Sequence, residues 1–170
     1  MTNFPRGSEW RKWDLHIHSP ASFVWRGPRF RDDGVGDHDI AVIDEMIAAL
    51  NAAEPAAFAL MDYWHFEGWF ALKRRLAQPG APRLVKTVFP GIELRLCAPM
   101  AGRLNAHAVF SDKIDDQHLK DFVSKLTLEL VELPLSNHGL ISYARHVTTD
   151  RLAKHGFTKA DIDTDNAKAL

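Results

Sequence analysis

Two histidines two residues apart, His16 and His18, lie in the largely apolar stretch Trp13-Asp14-Leu15-His16-Ile17-His18-Ser19-Pro20. On a β-strand the side chains at i and i+2 share a face, so both imidazoles project together while Leu15 and Ile17 point the other way. Imidazole suits zinc, manganese or iron, but two ligands do not complete a coordination shell, and a His-x-His pair on a surface strand often binds nothing. Further along, Glu93 stands between Ile92 and Leu94, where a carboxylate is costly to bury unless it is paired or bound to a cation. His107 occupies the middle of the run Leu104 to Phe110, and Asp62 directly follows the apolar run Ala56 to Met61.

The elements that must position these residues alternate. Ile40, Ile43, Met46, Ile47 and Leu50 follow one helix face, and Glu54-Pro55 ends it. Ala56 to Met61 is too uniformly apolar for a half-exposed strand and is expected to be buried on both faces. Phe66, Trp69, Phe70 and Leu76 mark a second helix closed by Gln78-Pro79-Gly80. Val85 to Phe89 reads as a strand continued through a break at Pro90-Gly91 to Leu94, and Leu104 to Phe110 as the next strand. Leu119, Phe122, Val123, Leu126 and Leu130 give a third amphipathic helix behind Asp115-Asp116, which suit its positive N-terminal end. Repeated βα units predict an α/β fold with parallel strands and right-handed crossovers. No strand is expected after Phe110; Ser136 to Gly139 reads as a turn, Leu140 to Val147 as a weakly patterned helix, and Thr158 to Leu170 as a polar helix or tail.

In parallel α/β folds the ligand site gathers at the C-terminal ends of the strands. His16 and His18, Asp62, Glu93 and His107 all fall at or near such ends. Together they offer a mixed nitrogen and oxygen shell, in which Glu93 could bridge two metals that activate a water and steady a phosphoryl oxygen. The segment Ser19 to Asp37, broken by Pro20, Gly27, Pro28, Gly34 and Gly36, is a long irregular loop of the kind that is usually functional or mobile. It carries Arg26, Arg29 and Arg31. A solvated charged loop is the plainer reading of these, a phosphate clamp the sharper one.

With 170 residues the chain fits one domain, 1–170, but is short for a complete eight-stranded barrel of about 250 residues. Its 21 Lys and Arg nearly balance 22 Asp and Glu, so no global basic field argues for non-specific nucleic-acid binding. The abundant Trp and Phe read as packing rather than as base-stacking platforms. The single Cys97, between Leu96 and Ala98, reads as a buried thiol in a reducing cytosol. Met1 to Trp13 holds a Pro-Arg-Gly-Ser turn but no signal-peptide core, and no apolar run reaches membrane-spanning length. A soluble, cytoplasmic protein without membrane partners is the expectation.

Asp14-Leu15-His16-Ile17-His18-Ser19, then Met61-Asp62 with Gly68 beyond, then Pro90-Gly91-Ile92-Glu93, then His107, resemble the ordered motifs of the PHP (polymerase and histidinol phosphatase) family. Glu9-Trp10-Arg11-Lys12-Trp13 and Ser19-Pro20-Ala21-Ser22 resemble, more narrowly, PHP domains at the N-terminus of larger bacterial proteins with an AAA-like or SMC-like ATPase. The resemblance covers residues 9–130 and leaves 131–170 as a helical or poorly patterned tail, continuing in a longer parent.

The resemblance implies a distorted PHP-type (βα) barrel, of which this chain holds the N-terminal part, with a cluster of up to three metal ions hydrolysing phosphoesters. His16 and His18 would hold one metal, Glu93 would bridge to a second, and His107 would bind the second; one or two zinc, manganese or iron ions are expected. Asp62 matches the Asp of the family's Thr-Asp-His motif in a supporting role. Tyr63 stands where that motif has a metal-binding His, yet can donate a hydrogen bond to a phosphate oxygen, and Arg26 or Arg29 would offset charge on the phosphoryl group. Val24 replaces a further His of some members, and His65, two residues beyond Tyr63, could substitute for the missing ligand, although a solvent-facing residue at a helix start is the plainer reading. The family's later histidine and Asp-x-His have no counterpart after residue 130, where His138, His146 and His155 read as structural or surface residues. Two functional expectations follow: a metal-dependent phosphoesterase acting on phosphomonoesters or phosphodiesters, with nucleotides or nucleic acid as substrates in a bacterial defence setting, or a catalytically incomplete metal- or phosphate-binding module beside an ATPase domain.

Overall fold

A computed structural model describes residues 11–31, 35–97 and 104–170. The motif-flanking Glu9-Trp10, the Pro-Arg-Gly-Ser turn and Gly34 lie outside them. The fold is mixed α/β, built on a curled four-stranded half-barrel sheet of order β1-β2-β3-β4: β1 (Trp13–Ile17), β2 (Ala57–Tyr63), β3 (Thr87–Leu96) and β4 (Leu104–Val109).

The central strand β2 is buried from Ala57 to Asp62, as its uniformly apolar sequence requires of a strand covered on both faces. Between β1 and β2 runs α1 (Asp37–Ala52), which buries Val42, Ile43, Met46, Ile47 and Leu50. Between β2 and β3 runs α2 (Glu67–Leu76), whose Trp69, Phe70 and Leu72 face the same core. Arg75 ties the two helices together, bonding both carboxylate oxygens of Asp44 at 2.7 and 2.9 Å and the Gly80 carbonyl at 3.1 Å.

The expectation of uniformly parallel strands is met by β1, β2 and β3 and fails at β4, which pairs antiparallel with β3. Residues 97–103 are too few for a parallel crossover, which needs about a dozen residues or more. The break expected at Pro90-Gly91 is also absent, because β3 runs straight through it. The Pro90 carbonyl accepts from Phe110 N–H on the β4 side, and β4 pairing begins only at Gly91. The proline's missing N–H therefore faces Phe110, just past the end of β4, where the ladder forgoes only its terminal bond.

The third helix, α3 (Asp116–Ser124), is capped by the Asp115 side chain, which accepts from Gln117 N–H. It stops short of the expected Leu130. Leu126 and Leu128 reach the core instead from a small antiparallel ladder, β5 (Thr127–Leu128) with β6 (Leu133–Pro134), so strand pairing does occur after Phe110. Short apolar runs fit helix and strand templates equally well. The remainder forms α4 (Asn137–His146), α5 (Thr149–Lys154), a 3-10 turn (Lys159–Asp161) and α6 (Thr164–Ala169). Leu140, Ala144, Leu152, Ala167 and Leu170 join the common core, so this segment packs as part of the fold rather than trailing from it. Cys97 is exposed, contrary to the buried thiol expected, since it stands at the end of β3 where the sheet gives out; a hydrogen bond to Glu129 raises its pKa. No helix among the described residues is long and apolar enough to cross a membrane.

Candidate metal centre

Glu93 is the buried centre of the polar cluster, with 1% of its surface exposed. The antiparallel register of β3 and β4 sets Glu93 directly opposite His107, and the parallel register of β2 and β3 sets Tyr63 beside it. From β1 come His16 and, one residue past the strand end, His18. His16 Nε2 lies 3.0 Å and His18 Nε2 4.0 Å from Glu93 Oε2, while His107 Nε2 lies 3.7 Å from Oε1. Asn105 donates its Nδ2 hydrogen to Oε1 at 2.7 Å. Each carboxylate oxygen thus faces nitrogen from a different edge of the sheet.

The rings pack as well as point. His16 and His107 meet edge to face at 4.4 Å between centroids, and Tyr63 stacks on His18 at 5.5 Å with 12° between planes. Burial and a hydrogen bond to Glu93 raise the Tyr63 pKa, so its phenol keeps its proton, and the Arg95 guanidinium lies over its ring at 5.0 Å. His18 is held at its ring by the Met61 backbone; burial, then His16, lowers its pKa and favours the neutral, ligating form.

The donor set fits a divalent cation. One nitrogen each from His16 and His18 and one oxygen of Glu93 lie within 4.8 Å of one another. Two tetrahedral zinc ligands sit roughly 3.3 Å apart, between the 3.0 and 4.0 Å found here for the two histidines against Oε2. A cation would also neutralise a carboxylate that is otherwise expensive to bury. His107 joins through Glu93 without belonging to that tight group of three, so the described residues offer one such ligand set.

The other expected residues are placed differently. Asp62 is fully buried and accepts from the Ser19 N–H at 2.8 Å and the Ser19 hydroxyl at 2.5 Å. It therefore fixes the turn that follows His18. Burial pushes its pKa up to about 6, against the lowering effect of the Ser19 and Gly68 hydrogen bonds. Arg26 lines an open cleft with Ile17, His18, Val24 and Trp25, on the His18 side of the cluster. Arg29 is engaged elsewhere, by Asp165 at 2.6 Å. His65, expected to face solvent, is half-buried in a second cleft with Arg29 and Lys168, because the C-terminal residues fold over it. His146 donates to the Ser142 carbonyl within α4.

Asn105 and Arg95 were not singled out by sequence. Each stands two residues from a predicted ligand on the same strand face, Asn105 from His107 and Arg95 from Glu93, and that period-two spacing is the signal that finds them.

Comparison with protein-family models, with curated proteins and with solved structures gives no match.

Proposed function

We propose that this chain is a metal-dependent phosphoesterase domain whose cation is held by His16, His18 and Glu93, with His107 on the other Glu93 oxygen. The observation that carries the reading is the convergence of three imidazole Nε2 atoms, at 3.0, 4.0 and 3.7 Å, on one buried carboxylate. The ordered motifs around these residues, similar to those of PHP domains, add phosphoester hydrolysis as the reaction, with nucleotides or nucleic acid among the substrates and an ATPase domain as partner. A divalent cation bound there supplies a Lewis acid that activates water and polarises a phosphoryl oxygen. Glu93 and Asn105 keep the ligands in register, Tyr63 offers a protonated phenol to a substrate oxygen, and Arg26, in the cleft beside His18, offers positive charge to an approaching phosphate.

Manganese- or zinc-loaded protein is expected to hydrolyse a generic aryl phosphate ester, and the double change His16→Ala, His18→Ala to abolish that turnover. Activity surviving the double change sinks the reading.

A second reading is favoured by one observation: Tyr63, whose raised pKa keeps it a neutral phenol and so a poorer ligand than histidine, is stacked on His18. The chain would then be a catalytically incomplete module that binds a single ion or a phosphate. Elemental analysis separates the two, since two or more tightly held metals per chain oppose the second reading.

A further inference from the structure

Away from the histidine cluster, a cleft of about 270 Å3 is lined by Pro20, Ala21, Arg29, His65, Asn137 and Lys168, with Phe30 and Glu67 at its sides. Lys168 is the unusual member. Only 8% of its surface is exposed, yet among the described residues its ammonium has neither a hydrogen bond nor an ion pair. Burial lowers the Lys168 pKa, and Asp165, Asp62 and Glu67 oppose this only from beyond ion-pair distance, so an anion in the cleft would complete the set of counter-charges. Its backbone is firmly placed: the Lys168 carbonyl accepts from Trp64 Nε1 at 3.0 Å, and Arg95 donates to the Ala169 carbonyl at 2.6 Å.

Apart from the Glu67 carboxylate at the rim, the groups beside Lys168 can donate. Asn137 opens α4, a ten-residue helix whose first-turn N–H groups have no carbonyl behind them and whose dipole favours an anion. Its Ser136 cap takes only the Gly139 N–H. His65 Nδ1 accepts from Glu67 N–H at 3.4 Å, which leaves the ring proton on Nε2. Burial, reinforced by Lys168, lowers the His65 pKa to about 3, so the ring is a neutral donor rather than a second charge. Arg29 is already matched by Asp165, and Glu67 is exposed at the rim.

We propose that this cleft is a phosphate-binding site, in which Lys168 supplies the counter-charge and His65 and the α4 N-terminus supply neutral donors. Donors arriving from separate elements suit a tetrahedral oxyanion better than a planar carboxylate, which is matched by a single fork. None of its residues belongs to the metal centre, so the inference stands or falls independently of the proposed phosphoesterase chemistry.

The test is calorimetric titration of metal-stripped full chain with inorganic phosphate. Saturable one-site binding is expected, weakened about tenfold or more by Lys168→Met, partly restored in Lys168→Arg, and unchanged by His16→Ala. Acetate should bind far more weakly than phosphate. Titration with adenosine monophosphate then distinguishes the source: tighter binding than phosphate assigns the group to a nucleotide, weaker binding to the free ion. Amide spectra of the unmodified protein give a readout that needs no variant, with Asn137 and His138 expected to shift on adding phosphate. The proposal is overturned by absence of saturation below about 10 mM phosphate, by equal binding in Lys168→Met, by acetate binding as tightly as phosphate, or by amide shifts confined to His16 and His18.

Discussion

Glu93 gathers its partners through hydrogen bonds that can be removed one at a time. Asn105 donates its amide hydrogen to Oε1, so it acts by orienting the carboxylate. Asn105→Ala is expected to lower zinc affinity about tenfold with the fold intact, and Glu93→Gln about 100-fold or more, both read by calorimetry. An Asn105→Ala affinity equal to the parent's would remove Asn105 from any positioning role. Asp62 makes a prediction of opposite character, about stability. Its folded pKa of about 6 lies above the ordinary 3.8, so the folded state holds the proton more tightly than the unfolded one. The resulting stabilisation is fully present below about pH 4 and is lost as pH rises through about 6; at about 1.4 kcal/mol per pH unit the interval is worth about 3 kcal/mol. Urea unfolding between those limits should show the parent losing stability relative to Asp62→Asn; identical slopes would contradict it.

At the scale of elements, the turn after β1 and the start of α2 are locked by contact. A Cβ on Gly68 would overlap the Ser19 side chain and Asp62 Oδ2, so only glycine lets α2 approach the Ser19-Asp62 pair. Gly68→Ala should cost about 2 kcal/mol, seen as a lower urea midpoint at unchanged slope. Helix α1 was legible in the sequence because its apolar residues keep one period over many positions, and strand β2 because its run is apolar without interruption. The direction of β4 was not, since a strand's alternation is the same whichever way it runs, and only the short connection from Leu96 to Leu104 spoke against a parallel partner. The end of α3 was equally hidden: Leu126 and Leu128 pack, partly buried, against the core, but from a hairpin.

For the molecule as a whole, the C-terminal segment is held to the sheet through Arg95. This side chain crosses from β3 to the α6 carbonyls and lies over Tyr63 and Trp64, at 5.0 and 5.9 Å. Arg95→Ala should cost about 2 kcal/mol and open the segment 149–170 to limited proteolysis, while Arg29→Ala, which breaks an ion pair with both side chains well exposed, should cost under about 1 kcal/mol. Equal protease resistance in parent and Arg95→Ala would show that core packing alone holds the segment.

The sequence by itself determined the ligand types. His16 and His18 share a strand face by local geometry, and Glu93 between two apolar residues demands a partner whatever the fold. Tertiary structure alone decided which groups meet. Glu93 faces His107 because β4 runs antiparallel, Asp62 turns from the cluster to Ser19, and Lys168 reaches His65 from a segment 103 residues away in the chain because α6 packs back over the sheet. Local periodicity fixes where a side chain points from its own backbone; register and long-range packing fix what it finds there.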